Sequence, residues 1–411
     1  MPASPFAKAV VKKLVEKGHI AYFAGGWVRD YLMDHPSDDI DIATSASVKE
    51  IQALFPKTIP VGVAFGIVIV VEGGHQFEVA TFRKDSGYVD GRRPTSIEKA
   101  TPQEDAKRRD FTINGMFWDP LQEKLYDFVQ GQVDLAQGII RAIGDPHERF
   151  LDDRLRMMRA VRYATRFNFS IEPATEKAII SHAKGLLPAV AMERVWQEFK
   201  KMARFSHFDR GLIQLHEFEL LPVIFPQLKG VSSEEVKQRL LPLKFFPEGI
   251  PAICELMELF PSETLEQLLD LCDYLKLSNE ERASVTFLHR AKQLLQMPEE
   301  WLLRLERVEW VKFYADPHAE MSLGIVAARL PYREAFLAQH KKRQGALSSY
   351  IKRVIEKTPR INAEHLMAEG IRPGKILGSL LQEAEKININ LGIEDRNAII
   401  ALLKKSPLWE S

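Results

Sequence analysis

The chain has 411 residues, with 56 basic and 56 acidic side chains and 45% apolar residues. That length predicts two to four domains at roughly 100–200 residues each, and the apolar share excludes a disordered chain. Zero net charge argues against a polybasic DNA-coating protein, the two cysteines (Cys254 and Cys272) are too few for a disulfide framework, and no apolar run reaches bilayer length. A cytoplasmic protein with neither DNA nor a membrane as partner is expected.

Residues 4–17 predict a helix, with Ser4 as its cap, Pro5 in its first turn, and Phe6, Val10, Leu14 and Val15 on one face. Gly18 ends it, and residues 20–24 form a short apolar strand. Gly25-Gly26 then turns the chain into a helix over 27–33. Residues 39–44 alternate acidic and apolar side chains, the period of a strand. Two further strands, over 67–71 and 76–82, flank Glu72-Gly73-Gly74-His75, a hairpin turn. Beyond about residue 145 the pattern is helical, over 152–166, 193–203, 263–275, 279–295 and 375–385. Pro222, Pro226, Pro242, Pro247, Pro251 and Pro261 divide the middle into short helices. The expected fold is α+β, a small mixed sheet with helices followed by a long all-α part.

The chemistry concentrates in the first half. On a strand over 39–44, residues i and i+2 share a face, so Asp39 and Asp41 project together. Adjacent carboxylates repel unless a cation neutralises them, and oxygen donors suit Mg²⁺. Gly25 and Gly26 let backbone N–H groups approach a phosphate. The combination predicts phosphoryl transfer, with metal held by Asp39 and Asp41. Arg108-Arg109-Asp110 joins a basic pair to an acid, a set suited to triphosphate and ribose hydroxyls.

Within a helix over 152–166, Asp153 and Arg156 lie side by side at i,i+3. Cytosine and adenine each present an exocyclic amino donor beside a ring-nitrogen acceptor. A carboxylate and a guanidinium match that pattern, whereas uracil and guanine place a carbonyl against the carboxylate. One Asp/Arg pair would thus select C and A without a template. Arg159, Arg162 and Arg166 continue down the same helix as a basic stripe, with Arg162 and Arg166 read as structural braces.

Four motifs occur in order: Gly25-Gly26-x-Val28-Arg29-Asp30, Asp39-x-Asp41-x-x-Thr44, Arg108 through Asn114, and a long run from Gly144 through Arg156. In these the chain resembles the class II CCA-adding tRNA nucleotidyltransferases and the related bacterial poly(A) polymerases. The resemblance is densest over residues 20–205 and returns at residues 370–378. It implies a nucleotidyltransferase palm-like head at 1–140, a nucleotide-reading neck at 141–205, a helical body at 206–330 and a tRNA-contacting tail at 331–411. It also implies catalytic carboxylates at Asp39 and Asp41, with Glu78 either a third carboxylate or a partner of Arg83 or Arg109. Gly25, Gly26, Arg29, Arg109, Asp110, Asn114, Asp153, Arg156 and Arg159 would meet the nucleotide, with Mg²⁺ as cofactor. Asp152 stands where the family carries Glu in its Glu-Asp-x-x-Arg motif. Glu193-Arg194 and Glu198 resemble the last helical motif, a brace for the reading helix. Residues 86–94 resemble the flexible loop of CCA- and A-adding enzymes, and glycines at 87 and 91 suit a loop that changes position.

The resemblance therefore implies transfer of CMP and AMP from CTP and ATP to the 3′ end of tRNA. An A-adding enzyme, a poly(A) polymerase and a catalytically silent RNA-binding protein are the competing readings. Lys341, Lys342, Arg343, Lys352, Arg353, Arg372 and Lys375 are the candidate tRNA phosphate contacts.

Overall fold

The computed structural model describes residues 4–35, 37–88 and 94–409, and the chain divides into two compact units, residues 1–238 and 239–411. In the first unit, helix α1 (Ser4–Glu16) leads into strand β1 (Ala21–Ala24) and helix α2 (Gly26–Leu32). Strand β2 (Asp41–Thr44) and helix α3 (Val48–Leu54) follow, then strands β3 (Thr58–Ile59), β4 (Ile67–Glu72) and β5 (His75–Thr81). Strands β6 (Arg83–Tyr88) and β7 (Pro94–Lys99) precede helix α4 (Pro102–Arg108) and strands β8 (Phe117–Asp119) and β9 (Lys124–Tyr126). Seven strands form one sheet in the order β3-β4-β5-β2-β1-β8-β9, parallel only between β2 and β5.

The period of two along each strand gives this sheet two unlike faces. Phe23, Ile42, Val68, Val70, Phe77 and Val79 point into a core closed by Val10, Val11 and Leu14 of α1, Val28 of α2 and Ile51 of α3. Each such buried aliphatic side chain contributes roughly 1.5–3 kcal/mol. Val11 rather than Val15 completes the buried stripe of α1, and Val15 is 41% exposed. Register pairs Ala24 with Asp41 and Ile69 with Glu78, which sets both carboxylates on the opposite face, where Ala24, Ala43, Phe82, Ala106 and Phe117 form a smaller second core. Gly73 and Gly74 make the two-residue β4–β5 turn with φ of 58° and 84°, as expected of a primed turn.

Three elements depart from the expected ones. The strand carrying the paired aspartates begins at Asp41, so Asp39 precedes it, although exposed, buried and exposed positions still alternate from Asp39 to Asp41. The turn-rich stretch beyond β5 is flanked by paired strands, β6 on β7, with Arg83 opposite Lys99 and Tyr88 opposite Pro94. The centre of the expected loop, residues 89–93, lies outside the described residues. The helix expected over 152–166 is two helices, α6 (Pro146–Asp152) and α7 (Leu155–Phe167), and Asp153 sits between them with φ −147° and ψ 105°.

Around this break helix α5 (Gly131–Gln137), strands β10 (Ile139–Ile140) and β11 (Ser170–Ile171), and helices α8 (Pro173–His182), α9 (Met192–Met202) and α10 (Phe208–Glu217) complete the main framework of the first unit. Asp145 caps α6 through the His147 N–H, and Pro146 supplies its first turn. The second unit is helical throughout. One of its cores gathers Trp310, Val311, Tyr314 and Leu347, and another Leu366, Leu380, Ile399 and Leu403. Among the described residues no helix is long and apolar enough to cross a membrane.

Candidate active site

A cavity of about 410 Å³ opens in the first unit, lined by Gly25, Gly26, Asp41, Arg108, Arg109, Asp110, Asn114, Asp153, Leu155, Arg156, Arg159, Tyr163 and Arg194. Five arginines face three aspartates, a surplus of positive charge suited to a polyanion.

At one end, Gly25 joins β1 to α2 with φ of 67°, a left-handed value that favours glycine. A Cβ there would stand 3.4 Å from Arg109 Nη1 and 3.5 Å from Asp41 Oδ2, so the backbone lies close to both a cation and an anion. Asp41 opens to the cavity yet is walled by protein. Its carboxyl is pushed up to about 7, first by burial, then by the charges of Glu78 and Asp39, with Arg109 partly offsetting them. Glu78 is raised too, by burial and then by Asp39, while Arg83 pulls it down. Asp39 and Glu78 thus stand beside Asp41 rather than in the cavity lining. Among the described residues no three His, Cys, Asp or Glu side chains form a ready-made metal cage. The negative charge crowded around Asp41 nevertheless fits a divalent cation whose remaining ligands come from phosphate and water.

The middle of the cavity is fixed by a chain of charged hydrogen bonds. Arg159 donates to Asp110 Oδ2 from Nε at 2.9 Å and from Nη2 at 2.5 Å. Asp110 Oδ1 accepts from Asn114 Nδ2 at 3.0 Å, and Asn114 Oδ1 accepts from Arg29 Nη1 at 2.5 Å. Arg29 also donates to Asp30 Oδ1, whose other oxygen accepts from Arg166 Nη2 at 2.9 Å. Burial would raise the Asp110 pKa, but Arg159 and Asn114 outweigh it and hold the carboxyl below its usual range. Arg29, expected at the nucleotide, is 2% exposed, lies outside the lining and stacks on Tyr163 and Phe167. Its place is behind Asn114.

At the other end the expected side-by-side pair is absent, because Asp153 is not helical. Asp153 Oδ1 accepts from the Leu155 N–H at 3.0 Å, and Arg194 Nη2 reaches Oδ2 at 3.1 Å. Arg156 donates instead to the carbonyls of Arg149 at 3.0 Å and Arg108 at 3.3 Å. Asp152 lies 3.3 Å from Arg149 and 3.6 Å from Arg156, a support for the two arginines. Asp153 and Arg156 still line the same cavity. Arg162 meets Glu198 at 2.5 Å in a buried pair, the bracing expected of α9.

Arg108 lines the cavity as its basic pair with Arg109 suggests, whereas Tyr163 and Arg194 are lining residues that the sequence pattern does not assign to the site. Tyr163 was findable, four residues beyond Arg159 on one helical face. Arg194 was not, since its partner Asp153 is distant in sequence. Of the basic residues of the second unit, Arg343 stacks on Trp310 at 4.1 Å and Arg353 bonds Asn388 and Glu394. Lys341, Lys342, Lys352, Arg372 and Lys375 are exposed, Lys352 with Glu356 at 3.8 Å.

Residues 21–141 match the family model described as "Poly A polymerase head domain", and residues 168–231 that described as "Probable RNA and SrmB- binding site of polymerase A". A CCA-adding enzyme of Pediococcus pentosaceus is 36% identical over 404 residues, 97% of this chain and 96% of that protein. The chain belongs to the CCA-adding enzyme family. Other relatives match over about half of their length: that of Anoxybacillus flavithermus is 43% identical across 56% of this chain and 58% of its own. The structure of the Bacillus stearothermophilus family member, in complex with CTP, superposes with a TM-score of 0.80 at 27% identity, covering 98% of both chains. That from Thermotoga maritima, complexed with tRNA, shares the fold with a TM-score of 0.66 at 23% identity over 96% of this chain and 93% of that one.

Proposed function

We propose that this protein adds CCA to the 3′ end of tRNA in the cytoplasm, taking CTP and ATP in turn without a template and releasing pyrophosphate. The observation that carries the reading is one cavity holding both Asp41, beside Gly25, and the base-reading candidates Asp153 and Arg156. Family membership supports it, since relatives across nearly the whole chain bear the name CCA-adding enzyme.

Asp153, steered by Arg194, accepts from the exocyclic amino group of cytosine or adenine, and Arg156 donates to the adjacent ring nitrogen. Asp110 and Asn114 hold the ribose, and Arg108, Arg109 and Arg159 meet the triphosphate. The backbone at Gly25 and Gly26 lets the phosphates approach closely. This arrangement sets the α-phosphate against the 3′ hydroxyl of tRNA for in-line attack. Asp39 and Asp41 would hold a divalent cation, Mg²⁺ in our reading, which when bound stabilises charge on the triphosphate and the attacking oxygen. Glu78 raises the negative charge of that face as a third carboxylate. By this reading 1–140 is the head, 141–205 the neck, 206–330 the body and 331–411 the tail. Lys341, Lys342, Lys352, Arg372 and Lys375 would meet tRNA phosphates.

The test is purified protein with tRNA lacking CCA, lacking CA or lacking A, each given CTP, ATP or both. Stepwise growth to CCA and no further is the expected result. No extension of any tRNA would overturn the reading. The head model's poly(A) polymerase description favours a second reading. Long A tracts on a non-tRNA oligonucleotide would establish it instead.

A further inference from the structure

Behind the cavity wall, outside its lining, one carboxylate receives both arginines of the Arg108-Arg109 pair. Asp105 is 1% exposed, at the end of the first turn of the short helix α4, whose last turn carries Arg108. The helix is started by Thr101 in a reciprocal capping box with Glu104, and Pro102 stands in its first turn. Asp105 Oδ1 lies 2.8 Å from Arg108 Nε and 2.7 Å from Arg108 Nη2. Its Oδ2 accepts from Arg109 Nε at 3.2 Å and from Arg109 Nη2 at 3.0 Å.

Neighbouring residues at a helix end point in different directions, and two adjacent guanidinium groups repel. A buried carboxylate that gives one oxygen to each draws both to the same wall and offsets half their charge. Burial alone would favour the protonated acid, but Arg109 and then Arg108 outweigh it and keep the group ionised. The same carboxylate accepts from the backbone N–H of Arg83, the first residue of β6, at 3.2 Å, and Arg83 O accepts from Arg108 Nε at 3.1 Å. The Arg108 carbonyl accepts from Arg156 Nη2 and Arg149 Nη1, each at 3.3 Å. A single acid therefore links the base of the β6–β7 hairpin, two arginines of the cavity and, through Arg108, the base-reading arginine.

We propose that Asp105 is a positioning residue for nucleotide binding: it never meets the nucleotide, but presents Arg108 and Arg109 to the triphosphate and ribose. The proposal rests on reading the cavity as the CTP and ATP site. Ordering the two long side chains before the ligand arrives spares that cost at binding, so its loss appears in affinity more than in turnover.

The experiment measures KM and kcat for CTP on tRNA lacking CCA, and for ATP on tRNA ending in CC. It compares wild type, Asp105→Asn, Arg109→Lys and the double variant, with thermal unfolding recorded beside each. Asp105→Asn is expected to raise KM for both nucleotides about tenfold with kcat within about threefold. The double variant should be little worse than the poorer single variant, because one residue acts through the other. Unchanged KM in Asp105→Asn, or fully additive losses, would overturn the assignment. If Asp105→Asn does not fold, Asp105→Glu keeps the charge but displaces it by one methylene. Equal direct binding of CTP by Asp105→Glu and wild type would then overturn it. Wild type that uses neither CTP nor ATP would overturn the reading of the cavity, whereas an active wild type with an unaffected variant overturns the role of Asp105 alone.

Discussion

Asp153 is held by Arg194 at 3.1 Å and not by Arg156, although the spacing of Asp153 and Arg156 invites that pairing. The two groups that would read a base reach the cavity on separate supports, one from the break between α6 and α7 and the other from the first turn of α7. Arg194 should therefore matter to base choice. Asp153→Ala is expected to lower the preference for CTP over UTP, and for ATP over GTP, by about 10- to 100-fold, the value of one well-placed polar pair. Arg194→Met should move the same ratios in the same direction by less, since the carboxylate remains but is no longer steered. Competition assays with paired nucleotides on tRNA lacking CCA measure both. Wild-type ratios in both variants would place base reading elsewhere.

Asp39→Asn and Asp41→Asn are each expected to cut C and A incorporation together by about 10²- to 10³-fold, the scale of a lost charge stabilisation in a transition state. Folding and tRNA affinity should change little, because Asn has the shape of Asp and removing the Asp41 charge relieves its repulsion with Glu78 and Asp39. Single-turnover extension and a tRNA gel shift separate the two effects. Near-normal extension by both variants under Mg²⁺ would remove them from the metal site.

Deleting residues 87–93 between β6 and β7 is expected to leave CC addition largely intact and to block the terminal A. Product length at single-nucleotide resolution on tRNA lacking CCA reports the outcome. Normal A addition would show that this segment has no part in the change from C to A.

Acid sensitivity of the second unit should trace to His340. Burial, and then the charge of Arg343, push this imidazole down to about 4, and Tyr314 Oη lies 2.7 Å from its Nδ1. The unfolded chain takes up a proton near the ordinary histidine value of about 6.5, the folded one only near 4. Between those values the unfolded state binds more protons, so this contribution is fully present above about pH 6.5 and is lost as the pH falls toward 4. Thermal unfolding at pH 7 and pH 5 should differ less in His340→Gln than in wild type, by a few degrees. An unchanged difference would move the cause to another group.

The parts of the candidate site that are legible in the sequence are those whose chemistry is local. Asp41, the Gly25-Gly26 turn, Arg109-Asp110 with Asn114, and the Gly73-Gly74 hairpin are each fixed by neighbours within a few residues. The break at Asp153 was masked because helical spacing runs straight through it. The signal lay in the residue type: an Asp can bond the N–H two residues ahead, as Asp153 does with Leu155, and so start a new helix instead of continuing one. The β6–β7 pair carries no apolar alternation over Arg83–Tyr88, so strand period had nothing to register there. Arg29 was misplaced for a third reason. Its motif position suggests a ligand contact, but what burial assigns it is the support of Asn114, which no single-sequence pattern distinguishes.

Two ion pairs join α7 to the sheet-bearing part of the first unit, Arg159 to Asp110 and Arg166 to Asp30, and the guanidinium of Arg29 lies over the Tyr163 and Phe167 rings of the same helix. A fragment cut at residue 141, where the head match ends, would keep both acids and Arg29 while losing every one of those partners. Stranding a buried charge in this way costs about 3–5 kcal/mol, comparable to the whole stability of a small domain. The boundary of the inherited module is thus not a boundary of cooperative unfolding. Truncation at 141 should give a loosely packed product, whereas one that runs on through α9 and its Glu198–Arg162 pair should melt as a single transition.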